Sequence, residues 1–209
     1  GPVVDLSSTG LTDEAVSSIS GLTIVACGSA YHVGVAAQYV FEDLVRIPVR
    51  VELASEFRYR RPLLAPDNLV VVISQSGETA DSLAALREAK SRGIKTLAIV
   101  NVVGSSIARE ADYVFYTLAG PEISVATTKA YSTQLIAVYL LAIEFAKVRG
   151  ELNEDAYCSL LSELKTIPAK IEKILDDKER LQWFAAKFSN AKDIFFIGRG
   201  LDYAACMEG

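Results

Sequence analysis

The residues best suited to chemistry are Ser74-Gln75-Ser76-Gly77-Glu78-Thr79, which put three hydroxyls, one amide and one glycine into six positions. They follow an apolar, largely β-branched run at 69–73. After them Leu83, Leu86 and Ala89 share one helical stripe, with Lys90 and Arg92 near Gly93. The run reads as a strand buried on both faces and the stripe as an amphipathic helix. A strand-to-helix turn gathers unpaired backbone N–H groups and the positive helix end at one point. Hydroxyls added there make a phosphate cradle. The same hydroxyls also suit an N-cap, a purely structural role. The position at the carboxyl end of a buried strand favours the anion, because open α/β sheets bind ligands along that edge.

Two further turns lie at the same edge. Gly28-Ser29-Ala30 ends a strand-like run and opens a helix, and residues 122–129 lead into a long helical stretch carrying Val125, Thr127 and Thr128. Ser29 and Thr127 each have a structural alternative, in the turn and in the cap. Together the three turns describe a small, polar, anion-terminated pocket. Few cations point into it, so a phosphate held there rests mainly on neutral donors, which suits a metabolite that must leave again.

Other chemistries fail on residue type. A dinucleotide fingerprint needs G-x-G-x-x-G, but positions 30 and 33 are Ala and Val, and position 203, after Gly198 and Gly200, is Tyr. No Walker Gly-Lys-Ser/Thr occurs. His32 is the only histidine, with no C-x-x-C and no G-x-S-x-G, so neither a zinc site nor a serine hydrolase is expected. His32 reads as a helix residue near the site. No cofactor, metal or resident catalytic residue is expected.

The elements that must position these turns follow from periodicity. Strands are predicted at 23–27, 49–53, 69–74, 96–101 and 113–117. Helices are predicted from about Thr12, after Gly28, from Thr79, at 105–110, and over 127–149 with Gly150 as the stop. Strands separated by helical connections make a parallel sheet with helices on both faces. The fold class is therefore α/β, a three-layer αβα arrangement around five strands. Residues 152–190 read as helices broken near Pro168. Residues 194–197 reopen a strand pattern, and Gly198-Arg199-Gly200-Leu201-Asp202-Tyr203 echoes the stretch from Cys27 to Tyr31. The expected division is a lead-in at 1–22 (Gly1-Pro2 resembling a tag scar), a first domain at 23–150, a helical connector at 151–192, and the start of a second copy at 193–209.

With 209 residues and 51% hydrophobic content, the chain can bury one good core. A net charge of −5 and a pI near 5.0 argue against nucleic acid as partner. Cys27, Cys158 and Cys206 are odd in number and scattered, which is no disulfide framework. The longest apolar run, 135–146, is preceded by Gln134 and interrupted by Glu144, so no membrane span is expected. With no signal peptide visible, a cytoplasmic protein is the default. The helix at 127–149 is apolar around more of its circumference than one sheet face can cover, from which a homodimer is expected.

Three segments carry a family resemblance: Glu52 to Arg60 (E-L-A-S-E-F-R-Y-R), Ser74 to Leu83 (S-Q-S-G-E-T-A-D-S-L) and Val125 to Gln134 (V-A-T-T-K-A-Y-S-T-Q). Together they resemble the sugar isomerase (SIS) domains of the glucosamine-6-phosphate synthase family, the isomerising glutamine:fructose-6-phosphate aminotransferases. The resemblance covers nearly all of residues 20–209 and implies a flavodoxin-like fold. It further implies fructose-6-phosphate or glucosamine-6-phosphate as ligand, with Ser74, Gln75, Ser76 and Thr79 on the phosphate and Ser29, Val125 and Thr127 on the sugar. The family often has Thr-Ser where this chain has Ser29-Ala30, so a contact at Ala30 falls to its backbone N–H. The family's cysteine nucleophile, glutamate base, ring-opening histidine and Schiff-base lysine lie in other modules, which implies that this stretch binds without catalysing. The alternatives are a stand-alone SIS sugar-phosphate sensor, or another SIS sugar-phosphate isomerase or deglycase.

Overall fold

Five short strands rich in β-branched residues form one sheet in this computed structural model, which describes residues 1–124 and 127–209. They are β1 (Gly21–Ala26), β2 (Val49–Leu53), β3 (Asn68–Ser74), β4 (Lys95–Val100) and β5 (Tyr113–Tyr116). All pair in parallel, in the order β2-β1-β3-β4-β5. The register sets Ala26 beside Ile73, and Ser74 beside Val100. This is the flavodoxin-like strand order, whose topological switch lies between β1 and β3.

Alternate side chains feed two cores, as the period of two requires. Leu22, Ile24, Leu69, Val71, Ile73, Leu97 and Ile99 face a layer that includes α2 (Ser29–Leu44) and α6 (Lys129–Val148). Val25, Val70, Val72, Ala98 and Val100 face the other layer, with α3 (Ala54–Phe57), α4 (Ala80–Ser91) and α5 (Ser106–Glu110). A short α1 (Asp13–Ser18), capped by the Thr12 hydroxyl, precedes β1. Burial alone would raise the pKa of Asp112, at the start of β5. Hydrogen bonds from the Thr96 N–H and hydroxyl, with Lys90 and Lys95 nearby, outweigh it and hold the carboxyl below its ordinary range.

Three expectations are corrected. First, Pro168 does not break its helix: α7 runs from Glu154 to Leu175, and the break before α8 (Lys178–Phe188) comes at Asp176–Asp177. Around Pro168 the helix is solvent-exposed, where water can serve the carbonyl that loses its partner. Second, residues 194–197 are no strand. They pair with none of the five strands, and Phe195 and Ile197 are 87% and 89% exposed. Third, the apolar circumference of α6 is covered from two sides rather than one, which leaves Leu135, Ile136, Tyr139 and Leu140 half-buried. Val138, Leu141 and Phe145 pack in the first core, while Ile143 packs against Tyr157 and Leu161 of α7.

Among the described residues α6 is also the one helix long and apolar enough to cross a membrane, with mean hydropathy 1.2, which the run at 135–146 understated. It is packed as a core helix. The Tyr157 hydroxyl locks this corner, donating to Glu144 at 2.6 Å and accepting from the Val4 N–H at 2.8 Å. Burial, with the Glu144 carboxylate beside it, pushes that phenol up to about 12.

After α8 the chain returns to α2 through α9 (Leu201–Cys206), where Glu208 meets His32 Nδ1 at 2.6 Å. Gly200, before α9, has φ 61 and ψ −132, and Gly28, before α2, has φ 58 and ψ −139. Only glycine adopts that backbone readily, so the turns into α2 and α9 share a conformation as well as a sequence pattern.

Candidate functional site

Beyond the carboxyl ends of β1 and β3, at the topological switch, lies a crevice of about 370 Å³. The turn after β1 supplies Cys27, Gly28, Ser29 and Ala30. The turn after β3 and the start of α4 supply Ser74, Gln75, Ser76, Thr79 and Ser82, and α6 with its lead-in supplies Thr127 and Gln134. Seven of the eight sequence-predicted site residues therefore line one crevice. The eighth, Val125, lies outside the described residues. His32 is not in the wall; its Nδ1 is engaged by Glu208.

The 74–79 turn is held from within and from behind. Ser74 Oγ accepts the Gly77 N–H at 3.0 Å and lies 3.2 Å from Thr79 Oγ1; Ser76 Oγ accepts the Glu78 N–H at 3.2 Å. Behind the turn, the Ile107 N–H donates to the Gly77 carbonyl at 3.0 Å, and the Ser106 N–H to the Glu78 carboxylate at 2.7 Å. The Ser106 contact holds the Glu78 carboxyl below its ordinary range. Gly77 sits at φ +67, and a Cβ there would lie 2.0 Å from Ser105 Oγ.

Donor counting shows what the turn offers. The Ser74 and Thr79 hydroxyls carry two hydrogens and their mutual bond uses one, so one is left for the crevice. Ser76 spends an acceptor site on Glu78 and keeps its own hydrogen. Thr79 stands at the N-cap position of α4 with no side-chain cap bond, and the first intrahelical bond runs from the Leu83 N–H to the Thr79 carbonyl. The N–H groups of Ala80, Asp81 and Ser82 thus have no acceptor among the described residues. Thr79 does not cap its helix as the structural alternative required.

The same holds at α6. Thr128 makes no side-chain cap bond; the Glu122 carboxylate instead accepts the N–H groups of Thr128 at 3.3 Å and Ala130 at 3.1 Å. The Ala130 bond foremost keeps the Glu122 carboxyl below its ordinary range. Thr127, in the crevice wall, is relieved of that duty.

No Asp, Glu, Lys, Arg or His lines the crevice among the described residues. Its field comes from hydroxyls, backbone N–H groups and the start of a twelve-residue helix. Such a wall has the donors to hold an anion with hydroxyls attached, and among the described residues it has no proton-transfer group beyond Cys27, a half-buried free thiol. Sequence reasoning missed Cys27, Ser82 and Gln134. Ser82 was signalled by its place one helical turn after Thr79. Gln134 was signalled only as a polar interruption of an apolar stripe.

Comparisons with known proteins agree with this geometry. The family model described as SIS domain matches residues 17–144. Over 204 residues the chain is 55% identical to the glutamine–fructose-6-phosphate aminotransferase (isomerizing) of Caldanaerobacter subterraneus subsp. tengcongensis, covering 98% of this chain and 34% of that protein. Its counterpart from Clostridium tetani is 53% identical over 209 residues, covering 100% and 34%. The solved C-terminal domain of glucosamine-fructose-6-phosphate aminotransferase from Francisella tularensis superposes with a TM-score of 0.91 at 38% identity, covering 94% of this chain and 55% of that one. The chain spans about a third of the length of the curated relatives it matches.

Proposed function

The chain belongs to the SIS domain family, and from that premise we propose that it is the sugar-phosphate-binding isomerase portion of a glutamine:fructose-6-phosphate aminotransferase. In this reading the parent protein makes glucosamine-6-phosphate from fructose-6-phosphate and glutamine. The observation that carries it is the uncharged crevice, where hydroxyls from three turns meet the unpaired N–H groups at the start of α4. The phosphate of fructose-6-phosphate or glucosamine-6-phosphate sits on Ser74, Gln75, Ser76 and Thr79. Its carbon chain reaches toward Ser29, the Ala30 N–H and Thr127. Moving a proton between C1 and C2 needs a general base near neutral pH, which this wall lacks. The 209-residue chain therefore binds without turning over.

Calorimetric titration with fructose-6-phosphate tests this, alongside deuterium exchange at C1 and C2 and a product assay with glutamine or ammonia. Saturable binding with no exchange and no product is expected. No binding at millimolar ligand, or product above background, overturns the reading. Equal affinity for every sugar phosphate offered favours the sensor alternative.

The proposed division sets residues 193–209 apart as the start of a second unit, supported by the matching backbones of Gly28 and Gly200. A cytoplasmic setting is supported by three free cysteines. Self-association rests on a surface other than the one read from sequence. It is proposed from the large apolar side chains left at least half exposed, among them Trp183, Phe188, Phe195 and Ile197. Sedimentation at tens of micromolar is expected to show a dimer, and a monomer there removes the proposal.

A further inference from the structure

Two polar side chains in the crevice wall are buried and unpaired. Gln134 is 2% exposed and Ser82 1% exposed, and neither Gln134 Oε1 nor Ser82 Oγ has a hydrogen-bond partner among the described residues. Ser105 Oγ and Arg149 Nε, outside the crevice wall, are also buried without a partner, whereas other buried polar side chains are served. Asn101 donates to the Gly120 carbonyl and accepts from the Ala119 N–H, each at 2.7 Å, and the Thr96 hydroxyl donates to Asp112 at 2.8 Å. The neighbours of Gln134 on its helical stripe, Ala130, Ala137, Val138 and Leu141, are buried and apolar. An amide there is costly unless something satisfies it. Whichever way round the amide is held, one of its polar atoms is buried without a protein partner.

Gln134 and Ser82 also come from opposite layers. Gln134 reaches the crevice from α6, which packs against α2, while Ser82 lies on α4 one turn beyond Thr79. They therefore line the crevice from both faces of the sheet. We propose that they form a second contact set for the ligand, with the Gln134 amide hydrogen-bonding a hydroxyl on the ligand's carbon chain and Ser82 Oγ completing the wall under the phosphate turn. This rests on the reading of the crevice as a sugar-phosphate site. It deepens that reading by assigning selectivity for a hydroxylated chain to a residue outside the three turns. A bare phosphate engages the 74–79 turn alone and does not reach Gln134.

The test uses the 209-residue chain with Gln134→Met, similar in volume but apolar, and Ser82→Ala. Each is titrated with fructose-6-phosphate and with inorganic phosphate, and melted without ligand. Gln134→Met is expected to weaken fructose-6-phosphate at least tenfold, to leave inorganic phosphate within twofold, and not to lower the melting temperature, since it removes an unpaired buried amide. Ser82→Ala is expected to weaken fructose-6-phosphate three- to tenfold. Wild-type affinity for fructose-6-phosphate in Gln134→Met overturns the inference while unchanged phosphate binding leaves the cradle reading intact. Should Gln134→Met melt lower and lose both ligands, Gln134 is a structural prop and the inference falls. If the unmutated chain binds neither ligand, the cradle reading falls and takes this inference with it.

Discussion

Replacing Gly77 by alanine is expected to abolish sugar-phosphate binding and to lower the melting temperature by roughly 5–15 °C. Two separate costs combine. Gly77 lies at φ +67, where an L-residue costs about 1–2 kcal/mol. The added Cβ would also lie 2.0 Å from Ser105 Oγ and 2.5 Å from Ser105 Cβ, an overlap worth about 1–3 kcal/mol. The turn cannot retreat, because the Gly77 carbonyl is held by the Ile107 N–H and Glu78 by the Ser106 N–H. Strain is therefore relieved by moving Ser76 and Thr79, the groups that face the crevice. Adding Ser105→Gly separates the two costs: it should recover the overlap and leave the backbone cost in place. If Gly77→Ala melts within 1–2 °C of the parent and still binds, the turn is looser than its hydrogen bonds imply.

Much of this arrangement was legible in the sequence, for physical reasons that also mark where legibility stops. The runs forming β1, β3 and β4 are apolar on both faces because both faces are covered, so continuous apolar sequence pointed to a buried parallel sheet. The turns after β1 and β3 were readable because their hydroxyls and glycines stand consecutively. Non-local partners were not. Nothing local says that the Glu122 carboxylate, rather than a threonine, serves the start of α6, or that Tyr157 and Leu161 cover its far side. Residues 194–197 have the composition of a strand, but a strand exists only beside another, and sequence does not supply the neighbour. Gln134 looked like a flaw in an apolar helix. Only the packing of α6 aims it at the crevice.

That lesson alters what removing the hydroxyls of the 74–79 turn should do. Were Thr79 a helix cap, its loss would cost about 1 kcal/mol of stability, with or without ligand. Thr79 makes no such bond, and Ser76 spends only an acceptor site on the exposed Glu78 N–H. Ser76→Ala and Thr79→Ala are therefore expected to melt close to the parent. Their effect should fall on binding. Each hydroxyl offers or shares a hydrogen for a charged phosphate, and such a bond is worth about 1.5–3 kcal/mol, roughly ten- to hundredfold in affinity. Salt should matter modestly, since no cationic side chain lines the crevice among the described residues. At a hundredfold excess over Kd, fructose-6-phosphate should stabilise the parent by about 2.7 kcal/mol, a shift the variants lose in large part. Thermal melts of both variants with and without ligand separate the roles, because a cap mutant falls in both conditions and a binding mutant only in the second. Full retention of the ligand-induced shift in both variants would remove the Ser76 and Thr79 hydroxyls from the phosphate site and leave it to Ser74, Gln75 and the backbone N–H groups of α4.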